Sequence, residues 1–457
     1  MTGNISGIMI TGTGSGCGKT AVTCALLSAL KLRGKNVTAF KCGPDYIDPM
    51  FHSNIIGTKS RNLDVFLCGE NTVKYLYLKN SAGADLSVIE GVMGMYDGVG
   101  FNDDSCSANH ISRITGTPEI LVVNAKGKGI SLAAEISGYL GFAENRIKGI
   151  ILDGCSENMY SIYAGMLENR LHVKCLGFLP HMKDLEIASR HLGLVTAAEI
   201  DDLKNKMTKL GELADKCLDI EEIEKLAGCA DKIECTEPPV IRRKQRGKPV
   251  RIGIAKDKAF CFYYEDSLDL LRSFGAELIE FSPIADSKIP ENIAGLIFGG
   301  GYPELYADKL SSNTGMLRSV LTASRGGMPV FAECGGFMYL GESITAGAKE
   351  YRMTGALPGH SFMTERLVRF GYKTLTAKRD NILCSAGESL HAHEFHYSDS
   401  DNCGDTFTAE NGREEQWNEI TADENIFAGY PHIHLWSAPS AAENFVQKCR
   451  IYSGTAK

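Results

Sequence analysis

The sequence lacks the features that mark several specialised classes of protein. No stretch approaches the roughly 20 consecutive apolar residues that a membrane-spanning helix needs, so we expect no membrane association. Residues 1–10 contain no basic segment followed by a long apolar core, so we expect no signal peptide. The 49 glycines show no G-X-Y period, which excludes a collagen-like chain.

The sequence also lacks the cysteine pattern of a disulfide scaffold and a strongly basic charge. The 15 cysteines are scattered, odd in number and without a C-x-x-C pair, which favours reduced thiols in a cytoplasmic protein. The formal net charge of −8 argues against a general nucleic-acid binder. With 457 residues, 44% of them hydrophobic and 23% charged, the chain is typical of a soluble globular protein of two or three domains.

Both halves of the chain alternate short β-rich runs with helical segments, a pattern that predicts parallel sheets. We therefore predict an α/β protein with two doubly wound domains, at residues 1–235 and 250–457, joined by a proline-rich and basic linker at 236–249. The charged segment 199–235 has a helical period and is expected to close the first domain. Strands are predicted at 5–10, 37–40, 86–89, 120–123, 147–152, 251–255, 276–281, 296–298 and 330–332, and helices at 20–33 and 267–274.

A glycine-rich loop, TGTGSGCGKT at residues 11–20, follows the first predicted strand and leads into a helix. Backbone N–H groups in such a loop, together with the helix N-terminus, bind phosphate groups. Lys19 would reach the β and γ phosphates, and the Thr20 hydroxyl would bind Mg²⁺. The alternative is a glycine-rich turn with an incidental lysine. The predicted nucleotide site comprises Thr13, Gly14, Ser15, Gly16, Cys17, Gly18, Lys19, Thr20 and Lys41.

Acidic residues follow two further predicted strands, in the segments KCGPDYID at 41–48 and EGVMGMYD at 90–97. Ligands of open α/β sheets bind beyond the carboxyl ends of the strands. Mg²⁺ prefers one or two carboxylates together with phosphate oxygens. Each acid alone could cap its own loop, but together they predict a metal and substrate site beside the phosphate loop.

A second site is predicted where the strand of VFAECGGFMYL, residues 330–340, ends at Cys334. A strand-to-helix elbow exposes a nucleophile, and the helix N-terminus is expected to lower the pKa of the thiol. Backbone N–H groups of Gly300, Gly301 and Gly335 could form an oxyanion hole. The base would come from the HIH sequence at 432–434, although a His-x-His alone is more often a structural pair or a metal fragment.

Together these motifs resemble the cobyrinate a,c-diamide synthase family. Its members join a dethiobiotin-synthetase-like ATP domain, a P-loop NTPase-like fold, to a class I glutamine amidotransferase domain with a flavodoxin-like fold. The resemblance spans nearly the whole chain and rests on TGTGSGCGKT, FKCGPDYIDP, EGVMGMYDG, RHLGLV at 190–195, GGGYPE, ECGGFMYL, HEFHYS and the terminal HIH.

The resemblance implies a reaction and its participants. Glutamine would be hydrolysed at Cys334 with His432 as the base. ATP would phosphorylate the a and c carboxylates of cobyrinate in cobalamin biosynthesis, and ammonia would then displace the phosphate. Mg²⁺ is the implied cofactor, ATP and L-glutamine are the co-substrates, and the partner is a small tetrapyrrole rather than a nucleic acid or a membrane. The oligomeric state stays open, with a homodimer as the candidate assembly.

The resemblance also suggests residue roles, and three departures leave some of them open. The roles of the acids could be exchanged among them. His434 stands where many class I amidotransferases have glutamate, which leaves the third member of the catalytic triad open. Asp153 and Asn124 also depart from the family pattern and leave the choice between ATP and GTP open, although we expect ATP. The implied Mg²⁺ contacts are Thr20, Asp45 and Glu90, and the implied acceptor contacts are Tyr46, Asp48 and Asp97.

Other interpretations of the same motifs remain. The same chemistry could act on nickel sirohydrochlorin or on hydrogenobyrinate, since nothing in the motifs separates these acceptors. A more distant alternative is a regulatory partition-type ATPase with an inactive amidotransferase-like domain. The segment HAHEFH at 391–396 could be a zinc cluster, but a role in shaping the glutamine or acceptor site fits better, since no cysteine ligand pattern accompanies it.

Overall fold

The computed structural model describes residues 1–181, 197–238 and 248–454. The chain forms two compact units, Met1–Glu237 and Pro238–Lys457. The RHLGLV motif at 190–195 and residues 239–247 of the predicted linker lie outside the described residues. Within the described ranges, no helix is both long enough and apolar enough to cross a membrane.

The first unit is built on a parallel sheet. Its strands are β1 (Thr2–Gly3), β2 (Gly7–Gly12), β3 (Val37–Cys42), β4 (Lys59–Leu63), β5 (Leu86–Glu90), β6 (Glu119–Asn124), β7 (Ile147–Asp153), β8 (Lys174–Leu179) and β9 (Ile233–Glu234). Its helices are α1 (Lys19–Leu32), α2 (Ile47–Phe51), α3 (Val65–Cys68), α4 (Glu70–Ser81), α5 (Ala108–Thr115), α6 (Ser131–Phe142), α7 (Glu157–Leu171), α8 (Ala197–Cys217) and α9 (Ile220–Ala227), with a π-helix at His52–Ile56.

Seven parallel strands form the main sheet, in the order β4-β3-β5-β2-β6-β7-β8. Strands β2, β3 and β5 are buried along their whole length, as expected for a parallel sheet covered on both faces. Their carboxyl ends lie side by side, so the residues that follow them share one edge of the sheet. This arrangement confirms the predicted P-loop NTPase-like parallel sheet.

Helices α8 and α9 account for most of the charged segment predicted to be helical. Met207, Leu210 and Ala214 of α8 pack into the same core as Leu26 and Leu30 of α1. Past α9, strand β9 pairs with β1 in an antiparallel ribbon. The charged face of this segment stays in solvent while its apolar stripe covers the sheet.

The second unit begins with alternating strands and helices and continues into antiparallel strands. Its strands are β10 (Val250–Ala255), β11 (Ala276–Phe281), β12 (Leu296–Phe298), β13 (Val330–Glu333), β14 (Ser343–Ala346), β15 (Lys349–Arg352), β16 (His360–Met363), β17 (Arg369–Ala377), β18 (Ser389–His396), β19 (Ser398–Ser400), β20 (Phe407–Asn411), β21 (Gln416–Glu419), β22 (Thr421–Ala422), β23 (Ile426–Gly429) and β24 (His432–Ile433). Its helices are α10 (Glu265–Ser273), α11 (Ala307–Ser312), α12 (Thr314–Arg325), α13 (Gly335–Leu340) and α14 (Pro439–Tyr452), with 3₁₀-helices at Pro303–Tyr306 and Leu435–Ser437.

The main sheet of this unit has the order β11-β10-β12-β13-β23-β22, and all its pairs are parallel except β22 with β23. Its first five positions follow the 2-1-3-4-5 order of flavodoxin-like folds, which confirms the predicted class. Two further sheets, β15-β14-β16-β19 and the antiparallel β21-β20-β17-β18-β24, were not predicted. The second of them carries His432 on its last strand.

Candidate active sites

The phosphate loop runs from the end of β2 to the start of α1, in the predicted strand–loop–helix context. Gly18 has φ 102°, and a Cβ at this position would lie 2.4 Å from Cγ of Asp153. Only glycine fits there, because the backbone is left-handed and the space is taken. Asp153 therefore lies against the phosphate loop, and its strand position pairs with Asn124 on β6.

The Lys19 side chain is buried inside this loop. Its ammonium group donates to the Gly14 carbonyl at 2.7 Å and to the Met93 carbonyl. Burial lowers the pKa of Lys19, which means that its charge is poorly solvated. A phosphate oxygen would replace these neutral acceptors with a charge-assisted contact, so the site favours an anion.

Glu90, the last residue of β5, is the centre of a buried polar cluster. Lys41 Nζ lies 2.9 Å from Glu90 Oε1 and 2.5 Å from Asp48 Oδ2. The Thr20 hydroxyl donates to Glu90 Oε1 at 2.6 Å. Four predicted residues therefore meet, because β2, β3 and β5 are neighbours in the sheet.

The charges of this cluster depend on burial and on each other. Burial alone would raise the pKa of Glu90, but Lys41 and His52 hold it below the usual range. Burial and the neighbouring Glu90 carboxylate raise the pKa of Asp48 to about 8. The cluster therefore holds a Lys41–Glu90 ion pair, and Asp48 is protonated more easily than an exposed aspartate.

His52 belongs to this cluster and was missed from the sequence. Its Nε2 lies 3.2 Å from Glu90 Oε2, and its Nδ1 lies 3.3 Å from the Ser60 hydroxyl. It opens the π-helix, a form often found at functional sites. The signal that could have found it is the spacing of four residues from Asp48, which places both on one helical face.

Asp45 and Asp97 accept hydrogen bonds within their own loops. Asp45 Oδ1 accepts the N–H of Ile47 at 2.8 Å, and Asp97 Oδ2 accepts the N–H of Gly94 at 2.8 Å. Tyr46 stands at the N-terminal boundary of α2. The two carboxylates thus cap their own loops, while the negative charge of Asp45 also acts on Lys41 and Asp48.

In the second unit, Cys334 sits between β13 and α13 with φ 47° and ψ −106°, a strained conformation for a residue with a side chain. Its N–H donates to the Gly429 carbonyl at 2.8 Å, which anchors the predicted elbow. The expected lowering of the thiol pKa is wrong. Burial raises the pKa of Cys334 to about 12, and the short helix α13 does not outweigh that desolvation.

The glycine loop after β12 connects the elbow with the histidine. A Cβ on Gly335 would lie 3.3 Å from the backbone N of Gly301. A Cβ on Gly300 would lie 2.4 Å from Cε1 of His432. The loop is therefore adjacent both to the residue after Cys334 and to the imidazole ring, so the predicted nucleophile, glycine donors and base share one site.

The two histidines of the HIH motif are buried and serve different local structures. Burial lowers the pKa of His432 to about 3, so its imidazole is neutral near pH 7 and its protonated form is disfavoured. Burial likewise lowers the pKa of His434 to about 3. His434 Nδ1 accepts the N–H of Trp436 at 3.4 Å, and its ring packs 4.8 Å from that of Tyr264.

Glu333, the residue before the nucleophile, is a second residue that the sequence reasoning missed. Its Oε1 accepts the N–H of Ile433 at 2.7 Å, and its Oε2 lies 3.9 Å from Nδ1 of His432. Burial raises the pKa of this carboxyl to about 8. The sequence signal that could have identified Glu333 is an acidic residue at the end of a strand that is otherwise apolar.

The HAHEFH segment forms most of β18, whose His393 pairs with His432 on β24. Glu394 forms a buried ion pair with Lys373, and the His396 ring stacks on Tyr430 at 4.1 Å. These contacts support the strand that carries His432. Residues of this segment can therefore shape the cysteine site through that strand.

Comparison with known proteins places each unit in a domain family. Residues 8–195 match the CobQ/CobB/MinD/ParA nucleotide binding domain, and residues 251–440 match the CobB/CobQ-like glutamine amidotransferase domain. The cobyrinate a,c-diamide synthase of Caldanaerobacter subterraneus subsp. tengcongensis is 38% identical, with 97% of this chain and 98% of that protein covered. The cobyrinate a,c-diamide synthase of Fusobacterium nucleatum subsp. nucleatum is 41% identical, with 94% of this chain and 97% of that protein covered.

Proposed function

Because the chain belongs to the cobyrinate a,c-diamide synthase family, we propose that it converts the a and c carboxylates of cobyrinate into amides, with ATP and glutamine as co-substrates. The reaction is a step of cobalamin biosynthesis. The observation that carries this proposal is the near-full-length similarity to such synthases, in a chain that keeps both the buried Lys19 loop and the Cys334 elbow. We assign the nucleotide-dependent half to residues 1–235 and the glutamine-dependent half to residues 250–457.

In the first unit, a carboxylate oxygen of the acceptor attacks the γ-phosphorus of ATP and ADP leaves. This step converts a poor acyl donor into an acyl phosphate with a good leaving group. Lys19 and the loop N–H groups neutralise charge on the transferring phosphoryl group. We assign acceptor contacts to Tyr46, Asp48 and Asp97, which follow the carboxyl ends of β3 and β5.

Thr20 and Glu90 are suited to a magnesium site, because a hydroxyl and a carboxylate oxygen 2.6 Å apart present hard oxygen donors beside the phosphate loop. Thr20 and Glu90 would hold the ion, and Asp45 is the third candidate contact. Mg²⁺ supplies neutralisation of phosphate charge when it is bound. It commonly keeps several waters and needs only one or two protein ligands, so a larger group of ligating side chains is not required.

In the second unit, Cys334 Sγ attacks the side-chain carbonyl carbon of glutamine while His432 takes the thiol proton. The N–H groups of Gly301 and Gly335 stabilise the oxyanion, and His432 returns the proton to the leaving ammonia. Water then hydrolyses the thioester and releases glutamate. Ammonia attacks the acyl phosphate, phosphate leaves, and the cycle repeats on the second carboxylate.

An acceptor screen by mass spectrometry tests the proposed substrate. The protein receives glutamine and MgATP with cobyrinate, hydrogenobyrinate or nickel sirohydrochlorin in separate reactions, and a parallel set contains MgGTP. We expect two successive acid-to-amide conversions on cobyrinate with ATP. Double amidation of another acceptor, with cobyrinate unchanged, would reassign the substrate, and turnover with GTP alone would reassign the nucleotide.

Substitution Gly300→Ala tests the cysteine site. The new Cβ would come 2.4 Å from His432 Cε1, so the imidazole must move. Displacement of a catalytic group by about 1 Å can reduce a rate roughly 10²-fold, and we expect a loss of that order in glutamine-dependent synthesis. Ammonia-dependent synthesis should be unchanged, because the substitution leaves the first unit intact.

Gly412→Ala is the matched control for this substitution. Gly412 lies in the turn between β20 and β21, and a Cβ there would meet no atom within 4 Å. Both activities should stay near the wild-type values in this variant. A Gly300→Ala protein with wild-type glutamine-dependent activity would contradict the placement of His432 as the base.

A further inference from the structure

The carboxylate beside His432 comes from the strand before the nucleophile. In the usual His-x-Glu arrangement of class I amidotransferases, the acid would stand at position 434, which is histidine here. Glu333 instead approaches His432 from β13, with Oε2 at 3.9 Å from Nδ1. This distance is longer than a hydrogen bond, and catalytic hydrogen bonds are commonly long before the substrate binds.

We propose that Glu333 is the positioning residue that holds His432 in the tautomer and orientation required of the general base. The inference rests on the proposed function, because it presumes glutamine hydrolysis at the Cys334–His432 pair. It replaces the sequence expectation that position 434 supplies the orienting group. Cys334 and its positioning carboxylate would then be consecutive residues at one strand end.

Glu333 also anchors the backbone of the strand that carries His432. Strand β24 has only two residues and pairs with β18 on one side. Glu333 Oε1 accepts the N–H of Ile433 at 2.7 Å and so ties β24 to the end of β13. One oxygen of Glu333 thus fixes the strand that carries His432, while the other faces the ring.

The charge of Glu333 decides which ring nitrogen is basic. An ionised carboxylate next to Nδ1 favours the tautomer with the proton on Nδ1, which leaves the Nε2 lone pair to accept the thiol proton. The same carboxylate stabilises the imidazolium that forms when Cys334 is deprotonated. Burial raises the pKa of Glu333 to about 8 and so favours its protonated form in the free site. A positive charge on His432 stabilises the carboxylate, so the ionised form is favoured as the imidazolium develops.

Substitution Glu333→Gln removes the negative charge of the side chain and keeps its shape. The single amide oxygen can keep the contact with the Ile433 N–H, which leaves the amide NH₂ facing His432 Nδ1. That group would donate to Nδ1 and favour the wrong tautomer. We expect kcat of glutamine hydrolysis to fall by about 10²-fold or more, with KM for glutamine and ammonia-dependent synthesis near the wild-type values.

Glu333→Asp is the discriminating partner variant. Aspartate keeps the charge but loses a methylene group, so a purely structural role would make it worse than the isosteric glutamine. A positioning role predicts the reverse order, with Asp recovering part of the lost kcat. Glu424→Gln, at an exposed glutamate between β22 and β23, controls for the loss of one negative charge and should behave as the wild type.

The outcomes are distinct. A Glu333→Gln protein with wild-type kcat, or an Asp variant slower than the Gln variant, would overturn the role of Glu333. Failure of the proposed function would look different, because the wild-type protein would then lack any glutaminase activity that depends on Cys334. A melting temperature for each variant identifies unfolded protein, and ammonia-dependent synthesis in the same sample shows that the first unit is intact.

Discussion

Replacing Cys334 by alanine is expected to abolish glutamine-dependent amidation and to leave ammonia-dependent amidation intact. Removing a catalytic nucleophile costs at least about 10⁴-fold in the reaction that it serves. The first unit phosphorylates the acceptor without the thiol, so ammonium salts at high concentration should restore both amides. The measurement is product formation by mass spectrometry with glutamine or with ammonium as the nitrogen source.

The backbone at position 334 stays strained in the Cys334→Ala protein, because φ 47° is unfavourable for any residue with a Cβ. The control is Cys384→Ala, which removes another buried thiol of the same unit at a position between β17 and β18. Both nitrogen sources should support near-normal activity in that variant. Glutaminase activity that persisted in the Cys334→Ala protein would contradict the proposed nucleophile.

Local patterns predicted the parts of the molecule in which strand, loop and helix are consecutive in the chain. The phosphate loop and the cysteine elbow are of this kind, since each turn is specified by glycines and an apolar strand within about ten residues. The four-residue contact set of Thr20, Lys41, Asp48 and Glu90 could also be anticipated. It requires only that the carboxyl ends of parallel strands share one edge of a sheet.

Contacts between residues distant in sequence could not be predicted in this way. The short strands between 343 and 419 pair in two sheets whose partners depend on the tertiary fold, so their periodicity is weak evidence for any one pairing. His52 and Glu333 gain their significance from Glu90 and His432, which lie on other strands. The thiol pKa was misjudged because burial, which decides it, is a property of the folded unit.

Replacing Lys19 by alanine is expected to reduce synthesis with either nitrogen source, because both routes need the acyl phosphate. The lysine is buried in the phosphate loop, and among the described residues its ammonium group hydrogen-bonds to two carbonyl oxygens and a thiol, so the site favours a bound phosphate. Loss of a preorganised positive group at a transferring phosphoryl group costs about 10²–10³-fold. Glutaminase activity of the second unit should survive at its basal level.

This combination of effects distinguishes the two sites. Lys19→Ala should lose glutamine- and ammonia-dependent synthesis together, whereas Cys334→Ala should lose only the first. Lys209→Ala, at an exposed lysine on α8, controls for the removal of one positive charge from the first unit. If ammonia-dependent synthesis persisted without Lys19, phosphoryl transfer would not depend on this loop, and the nucleotide site would have to lie elsewhere in the chain.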